Sequence, residues 1–411
     1  MQKRWVFPVV VLALLGAGCS KSNTTSGTSS SPSGAPSAAG ASYTVNVDGK
    51  NAETPESFLA FFPSTVTVHP GDSVNFNLVD SGEPHTVALG TLADAAVTAA
   101  EKSSNQNGPL AEDAALPQFT PTDQMGNPAL PQTTLKTIPS AADPCFIATG
   151  PVPTSTACPA GSSTQPAFDG TQSFYSAGWL ASGSPFSVKL SSSIKPGTYK
   201  YMCLVHREGM TGTIIVVDKS QSVPGPDQQA ATGQAELVSQ TATFQPALGP
   251  LAEGKNPELK FLPSGPKIAL AGSGLQEANG GVDQFGPAQI TATVGSTISW
   301  IVLGPHTISF NAPTDAQGIH TPGTSQINHK AIDPVGGPGQ TAYSNYSGNG
   351  PPPPPLVIKG GSFDGNGFRS SGVIFSFPPA LLEYQLTFTA KGTFPYQCLV
   401  HDGMKGTVTI Q

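Results

Sequence analysis

The chain has 411 residues, enough for two or three domains, and only 11% of them are charged. Its 46 glycines and 41 prolines disfavour a helical bundle and favour short strands joined by turn-rich loops. A net charge of −7, with no basic stripe or stacking-aromatic motif, argues against nucleic acid as a partner.

The N-terminus reads as an address. Lys3 and Arg4 precede an apolar stretch, residues 5–18, that ends in "LLGAGC". It is shorter than the roughly 20 residues a hydrocarbon core requires, so residues 1–18 read as a cleaved export signal. The stretch resembles a bacterial lipoprotein signal, although Gly16 stands where that family usually has leucine. The resemblance implies that Cys19 is acylated and anchors the mature chain to a membrane, with ordinary signal cleavage as the alternative. Residues 19–42, rich in Ser, Gly and Pro, read as a disordered tether. The expected location is the cell envelope, outside the cytoplasm.

Two segments of the chain then repeat one pattern. "FPSTVTVHPGDSVNFNLVDSGEPHTVAL" (62–89) matches "GPAQITATVGSTISWIVLGPHTISF" (286–310): a strand, a Gly-led turn, a second strand, then Pro-His-Thr. Upstream, "YTVNVDG" answers "KIALAGSG". Downstream, "FYSAGWLASG" (174–183) answers "FDGNGFRSSG" (363–372), and "GTYKYMCLVHREGM" answers "GTFPYQCLVHDGM". The repeating unit is a whole domain, expected over 43–218 and 266–411. A linker, 219–265, would hold one short helix around 228–238. Short alternating strands bounded by Gly and Pro predict an all-β fold, two tandem sandwiches carrying large insertions at 90–170 and 311–362.

The strands orient the chemistry. Residues two apart share a sheet face, so Tyr199, Tyr201 and Cys203 point one way, as do Phe394, Tyr396 and Cys398. Aromatic residues at that period mark the core face, so each cysteine ends a strand and points inward. Pro395, on the outward face, implies a sheet edge or bulge. Export lets disulfides persist. Cys145 and Cys158 share a Pro/Thr-rich loop and read as a local disulfide, worth about 3 kcal/mol by loop closure. Cys203 and Cys398 could pair, but equivalent places in two domains favour two free thiolates.

A thiolate, two imidazoles and a weak thioether make a trigonal copper site. One loop supplies Cys203, His206 and Met210, and the other supplies Cys398, His401 and Met404. The remaining ligands are expected from His85 in "EPHTV" and His306 in "GPHTI". Zinc is the chemical rival, but it leaves the methionines unexplained. With these residues both domains resemble cupredoxins, the plastocyanin, amicyanin and azurin type of blue-copper protein. The second loop, Cys-x2-His-x2-Met, has amicyanin spacing, and the first is one residue longer.

The resemblance implies Greek-key sandwiches, two type 1 coppers cycling between Cu(I) and Cu(II), and electron transfer with redox protein partners in the cell envelope. Thr86 and Thr307 depart from the family's Asn after the upstream histidine, and Leu204 and Leu399 from its Ser or Thr after the cysteine. His69 lies in a turn that reads "TVG" in the second copy and is expected to be solvated; His320 and His329, in the second insertion with no repeat counterpart, read as surface loop residues, with a further metal site as the alternative. With no His-x-His and no histidine beside either cysteine, the expectation is an electron carrier rather than an enzyme. Copper storage or delivery is the alternative, and a copper oxidoreductase the less favoured one.

Overall fold

The computed structural model describes residues 40–50, 56–79, 83–102, 111–117, 120–122, 134–136, 139–273, 280–319, 327–337, 355–376 and 381–411. The export signal, Cys19, the tether before residue 40, His320 and all but the last residue of the 351–355 proline run lie outside them. Among the described residues no helix is long and apolar enough to cross a membrane.

Each repeat folds as two packed sheets, and strand order matches between the copies. In the first, Phe61–Phe62, Ser42–Val47, Ser73–Leu78 and Phe186–Lys189 form one sheet; its partner holds Thr65–Val68, Arg207–Val216, Gly197–Cys203, Thr86–Leu89, Phe174–Trp179 and Cys145–Ile147. In the second, Phe285–Gly286, Ile268–Ala271, Thr297–Val302, Leu382–Phe388 and Leu356–Phe363 face Gln289–Ala292, Lys405–Ile410, Gly392–Gln397, Ser309–Phe310 and Arg369–Ser370. Ser42–Val47 runs parallel to Ser73–Leu78, and Ile268–Ala271 parallel to Thr297–Val302. The fold is all-β, two tandem sandwiches, as the alternating strands predicted. One repeat match slips out of register: Ser370 faces Ser309, while Ser176 faces the equivalent Ala88.

Alternation builds the cores. Tyr43, Val45 and Val47 turn inward from the first strand, and the Tyr201 ring packs edge-on against Phe61 and Phe76, each at 4.9 Å. In the second sandwich Trp300 packs edge-on against Tyr396 at 5.4 Å. Pro395 sits where its strand loses a neighbour. Its partner Thr407 donates its N–H to Ala288, so the proline nitrogen faces the opposite side, just past the end of Ser309–Phe310. A missing N–H costs nothing to the ladder there.

The first insertion covers the outer face of the Cys203 sheet. Helix Thr91–Lys102 buries Ala93, Ala96 and Val97 in a satellite core with Met202 and Leu204, the two neighbours of Cys203. Cys145 and Cys158 are joined by a disulfide in this insertion, with Cα atoms 5.9 Å apart. The second insertion lies on the other ligand loop: Gly318 donates to the Leu399 carbonyl, and Ala316, Ile319 and Ile332 join the core that holds Leu399 and Val400.

Between the repeats the short helix expected at 228–238 is a 27-residue helix, Pro226–Ala252. Pro226 fits its first turn, where no N–H is needed. Pro246 and Pro250 lie inside it and interrupt its hydrogen bonds, but Phe244, Ala247 and Leu251 are buried between the sandwiches and hold the helix by packing. Toward its start Gln229 and Glu236 bond the backbone of Thr67 and Ser64. Gly233 permits that approach, because a Cβ there would lie 2.5 Å from the Pro63 nitrogen. A second tie is Glu56–Phe58 of the first repeat, which pairs antiparallel with Gly280–Val282 of the second. Both sandwiches belong to one compact unit.

Candidate metal centres

Cys203 ends its strand at a bulge, and the chain turns through His206 before re-entering the sheet at Arg207. Arg207 has φ 52°, a left-handed conformation costing about 1–2 kcal/mol for a non-glycine residue. In the shorter second loop the left-handed residue is Gly403, at φ 83°, where that cost vanishes. His85 arrives from the other direction, just before strand Thr86–Leu89. The structure brings His85, Cys203 and His206 together with their ligand atoms within 4.8 Å of one another. His85 Nδ1 lies 4.0 Å and His206 Nδ1 3.7 Å from Cys203 Sγ. Met210 is buried in the same core cluster as Cys203.

The second centre repeats this arrangement. His306 Nδ1 lies 3.9 Å and His401 Nδ1 3.6 Å from Cys398 Sγ, again with all three ligand atoms within 4.8 Å. Met404 is buried in the cluster that holds Cys398, and its carbonyl accepts the Cys398 N–H at 3.0 Å. In both centres a threonine braces the loop: the Thr86 and Thr307 hydroxyls accept the Leu204 and Leu399 N–H at 2.7 Å. The same threonines donate their own N–H to the sulfur, at 3.3 and 3.4 Å. A soft sulfur with two imidazole nitrogens turned toward it, and a buried thioether in the same core, fits copper.

Electrostatics separate the two centres. Burial alone would raise the Cys203 thiol, but hydrogen bonds with His206 and His85 pull it well below the usual thiol range; His306 and His401 do the same to Cys398. His85 Nε2 donates to Asp48 Oδ2 at 3.0 Å, both fully buried. Burial raises Asp48, and despite its own burial His85 is raised to about 10, first by that hydrogen bond, so the pair holds one proton between them. Among the described residues His306 Nε2 bonds the Leu303 carbonyl, at 3.2 Å, and no carboxylate. At the position matching Asp48 stands Gly272, φ 80°, where a Cβ would lie 2.0 Å from His306 Nε2. The second thiolate has more donors, since Val400 and His401 add their N–H groups at 3.4 and 3.5 Å.

The loop histidines meet a shared partner. Glu83 Oε1 accepts from His401 Nε2 at 2.9 Å, while Glu83 Oε2 lies 3.4 Å from His206 Nε2. Asp283 Oδ1 stands 3.7 Å from His401 Nε2. Burial would raise Glu83, but His401 and then His206 hold it well below the carboxylate range; burial pushes Asp283 up to about 6.

Six of the eight expected ligands therefore gather in two clusters, and Met210 and Met404 are buried in the same two cores. The carboxylates Asp48, Glu83 and Asp283 were missed, although the repeat comparison held a signal for two of them. Asp48 in "NVDG" faces Gly272 in "LAGS", and Glu83 in "EPHT" faces Gly304 in "GPHT". A charged residue opposite glycine beside a ligand histidine marks a changed environment. Elsewhere, His69 is buried rather than solvated, its Nε2 bonded to the Gln221 carbonyl at 2.8 Å. His329 is exposed beside Asp333.

No protein-family model and no curated protein matches this chain. Among solved structures it is similar to a pseudoazurin from Sinorhizobium meliltoi, at 20% identity over 48% of this chain and 97% of that one, TM-score 0.18. A blue copper oxidase from Nitrosomonas europaea matches at 12% identity over 90% of this chain and 85% of that one, TM-score 0.18. A copper-containing nitrite reductase from Thermus scotoductus matches at 11% identity over 90% and 68%, TM-score 0.21. These matches correct one expectation. The sequence reading held that the chain is not an enzyme, yet copper enzymes align with 90% of it. The missing histidine beside each cysteine bears only on one way of wiring a second copper, and the exclusion is withdrawn.

Proposed function

We propose that this chain is a copper-binding redox protein with two type 1 centres, one per sandwich, that transfers electrons in the cell envelope. One observation carries the reading: each repeat independently gathers a buried cysteine sulfur and two imidazole Nδ1 atoms within 4.8 Å. His85, Cys203, His206 and Met210 would hold one copper, and His306, Cys398, His401 and Met404 the other. Copper supplies a one-electron couple between Cu(I) and Cu(II). The chain supplies rigidity: the threonine braces fix each loop, the Nε2 hydrogen bonds of His85, His306 and His401 orient those imidazoles, and the insertions exclude water from the sulfur. His206, with 17% of its side chain exposed, is the best-exposed of the ligand histidines, and redox protein partners would dock there through a small transient surface. A lipid on Cys19 would hold the head at a membrane.

The test is copper stoichiometry with visible spectroscopy on the full chain. Two coppers and an intense thiolate-to-copper band are expected, the band halving in Cys203→Ser and separately in Cys398→Ser. A colourless zinc protein would end the reading. Rapid loss of copper from both centres to a chelator would instead favour storage or delivery. Mass spectrometry of the mature N-terminus checks the anchor: a diacylglyceryl-sized increment on Cys19 supports it, and a free thiol there overturns it.

A further inference from the structure

Glu83 belongs to the first repeat, two residues before ligand His85, yet its hydrogen bond is to a ligand of the second, and His206 of its own repeat stands farther off at ion-pair distance. A carboxylate offers two oxygens, and here each faces a different centre. In both loop histidines Nδ1 is turned to the sulfur, so Nε2 is the nitrogen that faces Glu83 and would carry the proton once a metal took Nδ1. The carboxylate thus takes a hydrogen bond from His401 through Oε1, while Oε2, buried and without a hydrogen bond, lies in ion-pair range of His206 at 3.4 Å. It is 9% exposed and His401 only 3%, so little water competes for either contact. The upstream histidines differ: His85 bonds Asp48 and His306 bonds Leu303, each within its own repeat. The second repeat offers no matching carboxylate. Gly304 stands there, and a Cβ would already lie 3.0 Å from His306 Nε2. The strand pair of Glu56–Phe58 with Gly280–Val282, which leads into Asp283, fixes the two sides against each other.

We propose that Glu83 is a positioning residue shared by both metal centres, holding one histidine ligand of each, so that the state of one centre is felt at the other. The proposal rests on the two-centre reading above. An imidazole that gives up charge through Nδ1 becomes a stronger donor at Nε2 and draws the carboxylate toward itself. Its hold on the opposite imidazole then weakens. The two centres are therefore coupled negatively: loading or oxidising one makes the same change harder at the other.

The experiment measures the second centre alone, in a full-length Cys203→Ser background, with Cu(I) competed against a chelator. Glu83→Gln, a substitution in the other repeat, is expected to weaken that centre's affinity by roughly 10–100-fold, the usual loss when a ligand's outer partner is removed. In the metal-free protein, nitrogen-15 NMR should show both the His206 and the His401 Nε2–H signals moving. Glu83→Asp, one methylene shorter, should keep one of the two partners and serves if the glutamine variant does not fold. Changes confined to His206 and the first centre would overturn the proposal. So would a third metal ion bound in the wild-type chain and lost with Glu83→Gln, which would make Glu83 a ligand instead. Failure of the wild-type chain to bind copper overturns the functional reading itself. Copper at both centres with no cross-repeat effect overturns only the bridge.

Discussion

At the scale of single residues, the two centres are built from one plan and tuned in opposite directions. A buried carboxylate on His85 favours the more positive state of the first centre, whereas a neutral carbonyl on His306 and two extra N–H groups on Cys398 favour the less positive state of the second. Set against the opposing pull of Glu83 on His401, these contacts at the upstream histidine and the sulfur are expected to give the second centre the higher reduction potential. Voltammetry on the Cys398→Ser and Cys203→Ser chains, each with one centre left, measures the difference; equal potentials would contradict the assignment. Asp48→Asn should raise the potential of the first centre and leave the second unchanged. Gly272→Ala should act on the second alone, since its Cβ would displace His306 and its left-handed backbone adds about 1 kcal/mol of strain. Copper content at one centre rather than two is the check.

The same residues set a pH window for the metal-free protein. Folded Cys203 titrates well below the usual thiol range and folded His85 near 10. The depressed thiol adds stability that is complete above its unfolded value, about 8.5, and lost as pH falls. The raised imidazole adds stability that is complete below about 6.5 and lost as pH climbs toward 10. Between roughly pH 6.5 and 8.5 the folded pair and the unfolded chain each hold one proton, so stability is flat there and declines on either side. Urea unfolding across pH, compared with Cys203→Ser, should lose this plateau in the variant.

At the scale of elements, the strands were legible because a period of two survives in a half-buried sheet. Tyr199, Tyr201 and Cys203 share a face in the chain as in the sequence pattern, and His85 and His306 lie where the repeat puts them. The helix between the repeats was less legible. Its prolines and its mixed surface speak for a linker, and what stabilises it is contact with residues far away in sequence. Phe244 shows this best: it is fully buried, edge-on to Phe58 at 5.6 Å, in a cluster that also holds Leu270 and Ile301. Phe244→Ala should cost about 3–5 kcal/mol, and calorimetry should show one unfolding transition separating into two as the repeats lose their common packing. Asp48, Glu83 and Asp283 were illegible for a related reason, because a carboxylate gains its meaning only from the histidine opposite it across the fold.

At the scale of the whole molecule, the repeats have stopped being interchangeable. A duplicated domain ordinarily keeps a self-sufficient unit that recombination can copy, delete or move. Here one copy holds the carboxylate that braces the other's ligand, and the strand pair Glu56–Phe58 with Gly280–Val282 takes one edge from each. A chimera of two first repeats would set two glutamates where one is needed, and a chimera of two second repeats would set none. Gene fragments encoding either half should therefore fail to complement, even when both are expressed together at low concentration. Descendants of this chain are expected to vary in their insertions and tethers but to inherit the pair of repeats as one indivisible character.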